Sequence, residues 1–114
     1  MNNLYINNSD TFNIISNNWK LNILFYYSNI FTNKNIINLI ENSKKDFIKI
    51  AEKYKNNKNI NFFIVDVIKE QMLWNKFWLH SIPSIHFIKN NLKIWSLENN
   101  ININNIEKKI WTII

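Results

Sequence analysis

Two stretches of the chain are almost continuously apolar. Leu21 to Tyr27 (LNILFYY) and Ile60 to Val67 (INFFIVDV) contain few polar residues, and the second reaches Asp66 at its end. Runs of this length and composition are typical of strands buried on both faces. Two shorter runs, Ile85 to Ile88 and Leu92 to Leu97, flank Lys89-Asn90-Asn91. Asn tolerates the left-handed conformation of tight turns, so these two runs predict a β-hairpin.

Helical spacing appears between these strands and at both ends of the chain. A short helix is predicted after Asn8-Ser9-Asp10, whose side chains can cap it, and another between Glu70 and Phe77. Apolar residues from Ile36 to Tyr54 recur every three or four positions, but Ser43 interrupts the stripe. This segment is therefore either one long helix or a loop followed by a shorter helix. Asn102 is the predicted N-cap of a final helix with Ile106 and Ile110 in its apolar stripe.

The predicted order α-β-α-β-α-β-β-α indicates a mixed sheet covered by helices. A strand, a crossover helix and a second strand form a parallel pair, whereas the late hairpin is antiparallel. The chain has 114 residues, which fits one α/β domain over residues 1–114. No apolar run approaches the ~20 residues that span a bilayer, and residues 1–10 lack the layout of a signal peptide.

Composition says more about the genome than about the chemistry. The chain contains 25 Asn, 23 Ile and 14 Lys but no Gly and no Arg, so residues with A/T-rich codons dominate. This bias is typical of very AT-rich genomes, such as those of reduced endosymbionts and organelles. The cytoplasm of a reduced bacterium or an organelle matrix is the corresponding expected location. Because Asn is a poor former of helices and strands, we also expect marginal stability.

The residue inventory excludes several kinds of chemistry. The absence of Cys removes disulfides, thiolate metal sites and thiol catalysis, and the absence of Gly removes a Gly-rich phosphate loop. His80, His86 and Asp66 lack the spacing of a metal site, so we expect no metal or other cofactor. The net charge of +6 comes from lysines spread along the chain, which argues against nucleic acid as a partner.

Several segments, in order, resemble the thioredoxin family over nearly the whole chain. Phe77 to Ser84 (FWLHSIPS) is similar to the family's Y-G-I-R-G-I-P-T segment, and Leu24 to Tyr27 resembles D-F-W-A. Ile50 to Tyr54 (IAEKY) is similar to I-A-D-E-Y, and Asn99 falls where the family has a groove-lining Gly. The resemblance implies a three-layer α/β/α sandwich with a mixed sheet of four to five strands. It also implies a cis bond between Ile82 and Pro83 in a loop that shapes the substrate groove.

This sequence departs from the family at the residues that carry the family's chemistry. Depending on the alignment, the two active-site cysteines correspond to Ile30 and Asn33 or to Ile37 and Ile40. The buried Asp of the family corresponds to Leu24. Thiol–disulfide exchange proceeds through a mixed disulfide, so it is impossible without sulfur. Enzymatic activity is therefore not expected from this fold's usual mechanism.

Three interpretations remain. The preferred one is a redox-inactive thioredoxin-like protein that binds protein partners, or serves in an assembly, through the former active-site groove. The alternatives are a degenerate thioredoxin with lost or residual function and, more remotely, an enzyme with non-thiol chemistry on this fold. We expect Trp74 and Trp111 in the core, and positive φ at Asn91 and Asn99. The predicted groove residues are Tyr26, Tyr27, Ile30, Asn33, Trp78, Ile82, Pro83 and Asn99.

Overall fold

A computed structural model describes residues 3–114 and contains alternating strands and helices. Met1 and Asn2, which the predicted domain includes, lie outside the described residues. The elements are β1 (Leu4–Ile6), α1 (Thr11–Ser16), β2 (Leu21–Tyr27), α2 (Lys34–Lys53), β3 (Ile60–Asp66), α3 (Gln71–Phe77), β4 (Ser84–Lys89), β5 (Leu92–Leu97) and α4 (Ile103–Ile113).

The strands form one five-stranded mixed sheet in the order β1-β3-β2-β4-β5. β3 is parallel to both β1 and β2, whereas β4 is antiparallel to β2 and β5. This arrangement confirms the predicted α/β architecture and its hairpin. β1 was not predicted, because three residues are too few to show a periodic pattern.

Helices cover both faces of the sheet and divide the core into two halves. On one face, α2 and α4 pack through Phe47, Ile50 and Ile106 onto strand residues that include Phe25 and Phe62. On the other face, α1 and α3 pack onto alternate residues of the same strands. The residues of this second half of the core are Ile15, Leu24, Tyr26, Phe63, Val65, Val67, Leu73, Phe77 and Ile88. β2 and β3 are therefore buried on both faces, as their continuous apolar runs indicate.

The long apolar stripe after β2 forms a single helix. α2 runs from Lys34 to Lys53, and Ser43 is buried on its core side rather than breaking it. Asn33 caps the helix, because its Oδ1 accepts hydrogen bonds from the backbone N–H groups of Asn35 (2.8 Å) and Ile36 (3.3 Å). Asn102 caps α4 in the same way, accepting from the N–H of Asn105 at 2.9 Å. That cap confirms the one predicted from the sequence.

The chain contains no glycine, so its left-handed backbone conformations fall on other residues. Asn90 (φ 53°) and Asn91 (φ 62°) form the β4–β5 turn, as expected for Asn91. The expectation for Asn99 is wrong, because the next residue, Asn100 (φ 54°), takes the positive φ. Trp78, at the end of α3, also has a positive φ of 55°.

Two tryptophans lie on the surface although the sequence analysis placed them in the core. Trp74 is 40% exposed and Trp111 is 63% exposed. The short helix α3 buries Leu73 and Phe77, one turn apart, and Trp74 lies at the margin of that stripe. On α4 the buried stripe is Ile106 and Ile110, beside which Trp111 projects. Across residues 3–114, no helix is long and apolar enough to cross a membrane.

Candidate functional site

Two loops, one after β2 and one before β4, lie at the same end of these neighbouring strands and form the candidate site. The first loop follows β2 and leads to the N-cap of α2 at Asn33. The second contains the Ile82–Pro83 bond, which is cis as the resemblance implies, and leads into β4. Because β2 and β4 are antiparallel neighbours, with Tyr26 opposite Ser84, the end of one strand lies beside the start of the other. The two loops are therefore adjacent in space.

The side chains around these loops form an apolar surface with two shallow clefts. Phe31, Trp74, Leu79 and Ile82, together with His80 and Ser81, line a cleft of about 170 Å³. Trp74 and Leu79 also line a neighbouring cleft with Trp78. Ile30 precedes Phe31 and is 67% exposed, and Trp78 is 74% exposed. We call this set the groove surface; it consists of Ile30, Phe31, Trp74, Trp78, Leu79 and Ile82.

Some of the predicted groove residues are accessible in the structure, and others are buried. Ile30, Trp78 and Ile82 belong to the groove surface, and Asn33 is exposed in the loop that borders it. Asn99 is exposed after the end of β5. Pro83, within the second loop, is buried. The structure therefore keeps only part of the predicted set on an accessible surface.

Tyr26 and Tyr27 were predicted in the groove, but the structure buries both. Tyr26 is fully buried, because its side chain points into the α1–α3 half of the core. Tyr27 points to the opposite half, where its hydroxyl accepts a hydrogen bond from Asn7 Nδ2 at 2.6 Å. Lys44 Nζ lies 4.4 Å from the centre of the Tyr27 ring. Neither tyrosine ring contributes to the exposed groove surface.

The positions proposed for the missing cysteines differ in their surroundings. Ile30 lies in the loop and Asn33 is the helix cap, whereas Ile37 and Ile40 lie inside α2. Ile40 is buried, and Ile37 lines a third cleft, of about 140 Å³, with Phe31. All these side chains except Asn33 are hydrocarbon, and Asn33 is occupied in capping. None of these positions supplies a nucleophile or an ionisable group.

The interior beneath the groove surface contains two ionisable side chains, His86 and Tyr26, that are uncharged at physiological pH. Leu24 is buried where the family resemblance implies an Asp, and it lies opposite His86 in the β2–β4 register. Burial, followed by the positive charges of Lys93 and His80, lowers the pKa of His86 to about 3. Burial and the nearby Glu70 carboxylate raise the pKa of Tyr26. His86 is therefore neutral and Tyr26 protonated at physiological pH.

Residues 3–114 hold no group of three His, Cys, Asp or Glu side chains that could bind a metal ion. His86 is buried, whereas His80 is exposed in the loop before Pro83. The Asp66 carboxylate accepts a hydrogen bond from the backbone N–H of Ile68 at 2.9 Å. His80, His86 and Asp66 therefore lie in different environments.

Sequence reasoning missed three members of the groove surface, namely Phe31, Trp74 and Leu79. Trp74 was assigned to the core because its position in a helical pattern resembles that of a buried residue. Phe31 and Leu79 lie in loops, where no periodicity reveals which way a side chain points. Only their proximity to Ile82 in the fold shows their role.

Comparison with known proteins supports the fold through structure alone. No sequence-family model and no curated protein matches this chain. A solved structure of the thioredoxin Mala s 13 from Malassezia sympodialis matches with a TM-score of 0.75 at 16% identity. That match covers 98% of this chain and 91% of the Mala s 13 chain.

A second match is to the J-Trx1 fragment of ERdj5, with a TM-score of 0.75 at 11% identity. It covers 97% of this chain but 50% of that fragment, so the present chain spans half the length of this relative. At 16% and 11% identity, both matches show the fold alone. The chain has a thioredoxin-like fold that contains no cysteine, and it is not a thiol–disulfide oxidoreductase of the usual kind.

Proposed function

We propose that this protein is a redox-inactive binding or assembly subunit that docks a protein partner on the groove surface. The observation that carries the proposal is the cluster of exposed apolar side chains where the resemblance to thioredoxins implies a substrate groove. Trp78 is 74% and Ile30 is 67% exposed, and Trp74 lines a cleft with Phe31 and Ile82. Contiguous exposed apolar side chains mark interaction sites.

The chemistry of the groove surface fits a protein partner with an apolar anchor. Aromatic residues are enriched at the centres of protein interfaces, and Trp is among the commonest hot spots. The cleft beside Phe31 and Ile82 is about 170 Å³, which suits one aliphatic or aromatic side chain. Burying a side chain of that kind contributes about 1.5–3 kcal/mol. His80 and Ser81 at the cleft supply a polar rim.

Site-specific photo-crosslinking in the native cell extract tests this proposal. A photoreactive phenylalanine analogue replaces Trp78 in a tagged protein, and Trp19 carries the same analogue in the control. Trp19 is also an exposed tryptophan, but it lies in the α1–β2 loop, outside the groove surface. We expect one protein to crosslink in stoichiometric amounts at position 78 and not at position 19.

A pull-down with point variants gives the independent readout. Trp78→Ala should deplete the same partner, whereas Trp19→Ala should retain it. Equal recovery with both variants, or crosslinks to chaperones alone, would contradict a binding role for the groove surface. That result would favour the degenerate thioredoxin, an alternative supported by the unpaired polar atoms that the core buries at Tyr26, Ser84 and His86.

We extend the proposal to location on the basis of composition alone. The Asn-, Ile- and Lys-rich sequence supports the cytoplasm of a reduced bacterium or an organelle matrix as the compartment. Fractionation of the native cells, followed by detection of the protein in each fraction, tests this assignment.

A further inference from the structure

The positive charge of the protein is concentrated in one layer of the fold. α2, the turn that follows it to Asn59, and α4 together carry nine lysines and four carboxylates. The rest of the chain carries five lysines and four carboxylates. Five of the six net positive charges therefore belong to the layer on one face of the sheet. Seven of these nine lysines lie between Lys34 and Lys58 in the sequence, and the packing of α4 against α2 adds Lys108 and Lys109.

Most of these lysine side chains are available to a ligand. Lys45 and Lys49 are exposed and lie one turn apart on α2, which places them about 6 Å apart along the helix axis. Lys108 is exposed on α4, next to Glu107. Two of the four carboxylates are already neutralised, because Glu107 pairs with Lys53 (2.6 Å) and Glu52 with Lys55 (4.0 Å).

Exposed tryptophans border this basic layer. Trp111, on α4, is 63% exposed and donates its indole N–H to the hydroxyl of Tyr54 at 3.0 Å. Trp95, on β5, lies beneath Lys109, with 3.4 Å between Nζ and the ring centre. Lysines beside accessible aromatic rings are the combination that single-stranded nucleic acids engage, through phosphate contacts and base stacking.

We propose that the α2–α4 layer binds the phosphate backbone of single-stranded nucleic acid without sequence specificity. A protein partner is less well suited, because charged residues are depleted at the centres of protein interfaces. The exposed side chains near these lysines include Asn42, Glu52 and Asn56, which are polar. Nucleic-acid interfaces, in contrast, are more polar and strongly positive. Lysines act there as point charges on phosphates, which requires no Arg.

Fluorescence anisotropy with a labelled single-stranded RNA of mixed sequence tests the proposal. Non-specific complexes of this kind have Kd values of about 10⁻⁶ to 10⁻⁴ M at physiological salt. We expect the logarithm of the association constant to fall linearly with the logarithm of KCl concentration. For single strands the slope is about −0.7 for each phosphate neutralised, so three to five contacts predict a slope of about −2 to −3.5.

Two triple variants with equal loss of charge separate a local surface from overall charge. The test variant is Lys45→Gln, Lys49→Gln and Lys108→Gln, chosen because no ion pair or ring contact is described for these side chains. The control is Lys20→Gln, Lys69→Gln and Lys89→Gln, which lie outside the layer. We expect the test variant to bind at least tenfold more weakly, with a slope that is less negative by about 2. The affinity and slope of the control should change little.

Three outcomes would overturn the proposal: no binding at low salt, equal weakening by both triple variants, or tighter binding of poly-glutamate than of RNA. The last would identify an acidic protein segment as the ligand. Circular dichroism of each variant shows whether it is folded. If the triple Gln variant is not folded, the single variants Lys45→Gln, Lys49→Gln and Lys108→Gln provide the decision, and each must weaken binding and make the slope less negative by about 0.7. Because Trp78 lies outside this layer, Trp78→Ala should leave RNA binding intact, so this test is independent of the proposed function.

Discussion

The ring of His86 lies edge-on to the ring of Tyr26, with 4.7 Å between their centroids and 70° between their planes. Both side chains are buried, and neither imidazole nitrogen of His86 has a hydrogen-bond partner among the described residues. The hydroxyls of Tyr26 and Ser84 also lack partners there. A buried polar atom without a partner lowers stability by about 1–3 kcal/mol. This cluster beneath the groove surface is therefore a weak point of the core.

The first prediction concerns acid stability. Burial lowers the pKa of His86 to about 3, whereas an unfolded histidine has a pKa of about 6.5. The unfolded state therefore takes up a proton at His86 first, and stability falls as pH drops from about 6.5 towards 3. Between about pH 7.5 and pH 5, the free energy of unfolding should fall by ~2 kcal/mol through this group. Urea denaturation at both pH values measures the change.

His86→Leu should remove this pH dependence. The variant should also be at least as stable as the parent at about pH 7.5, because it deletes two buried unpaired nitrogens. His80→Gln is the control, since His80 is exposed and its replacement should leave the fall with pH in place. An undiminished fall in His86→Leu would show that another group causes it.

The second prediction concerns Trp78, which combines high exposure with left-handed backbone. A non-glycine residue at φ 55° costs about 1–2 kcal/mol, and glycine costs about 0.5–1 kcal/mol through its freedom in the unfolded chain. Trp78→Gly should therefore raise the free energy of unfolding by about 0.5–1 kcal/mol. Trp78→Ala retains the Cβ and should show no comparable gain. If both variants are equally destabilised, packing of the indole outweighs the strain at this position.

The sequence predicted the parts of the fold that depend on local pattern. β2 and β5 begin and end at the predicted residues, and Asn102 caps α4 as predicted, whereas the cap that Asn33 provides for α2 was not predicted. Positions that depend on the packing of whole layers were not predictable. Trp74 and Trp111 have the spacing of core residues, yet neighbouring side chains fill the core first. Tyr26 was likewise predicted in the groove, but it is buried because helices cover both faces of β2.

The third prediction concerns the β4–β5 turn, where Asn90 and Asn91 both have positive φ. Two consecutive left-handed residues form a type I′ turn, for which Asn-Gly is the most favourable pair. Asn91→Gly should therefore stabilise the protein by a few tenths to about 1 kcal/mol. It also deletes Asn91 Oδ1, a buried atom without a hydrogen-bond partner in the described structure.

Thermal unfolding at neutral pH measures this change, and the melting temperature should rise by a few degrees. Asn99→Gly is the matched control, because Asn99 does not have a positive φ and should gain nothing. A lower melting temperature for Asn91→Gly would show that its side chain contributes contacts that the turn requires.

The last prediction concerns Glu107, which joins α4 to the end of α2. Its Oε2 lies 2.6 Å from Lys53 Nζ and accepts a hydrogen bond from the Tyr54 hydroxyl at 2.8 Å. The hydrogen bond from Lys53, followed by that from Tyr54, lowers the pKa of the Glu107 carboxyl. Its contribution to stability is thus present above its usual pKa of about 4.3 and is lost as pH falls below that value. Glu107→Gln keeps an oxygen for Tyr54 but loses the charge, so it should destabilise less than Glu107→Ala.

The indole N–H of Trp111 reports on this network, since it donates to the same Tyr54 hydroxyl. In a ¹⁵N-labelled protein, the Trp111 indole resonance, assigned with Trp111→Phe, should shift in Glu107→Ala and less in Glu107→Gln. Glu52→Gln is the control, because Glu52 pairs with Lys55 at 4.0 Å on the exposed side of α2 and does not contact Tyr54. An unchanged Trp111 resonance in Glu107→Ala would mean that Tyr54 is held without the carboxylate. The contact between α2 and α4 would then depend on apolar packing alone.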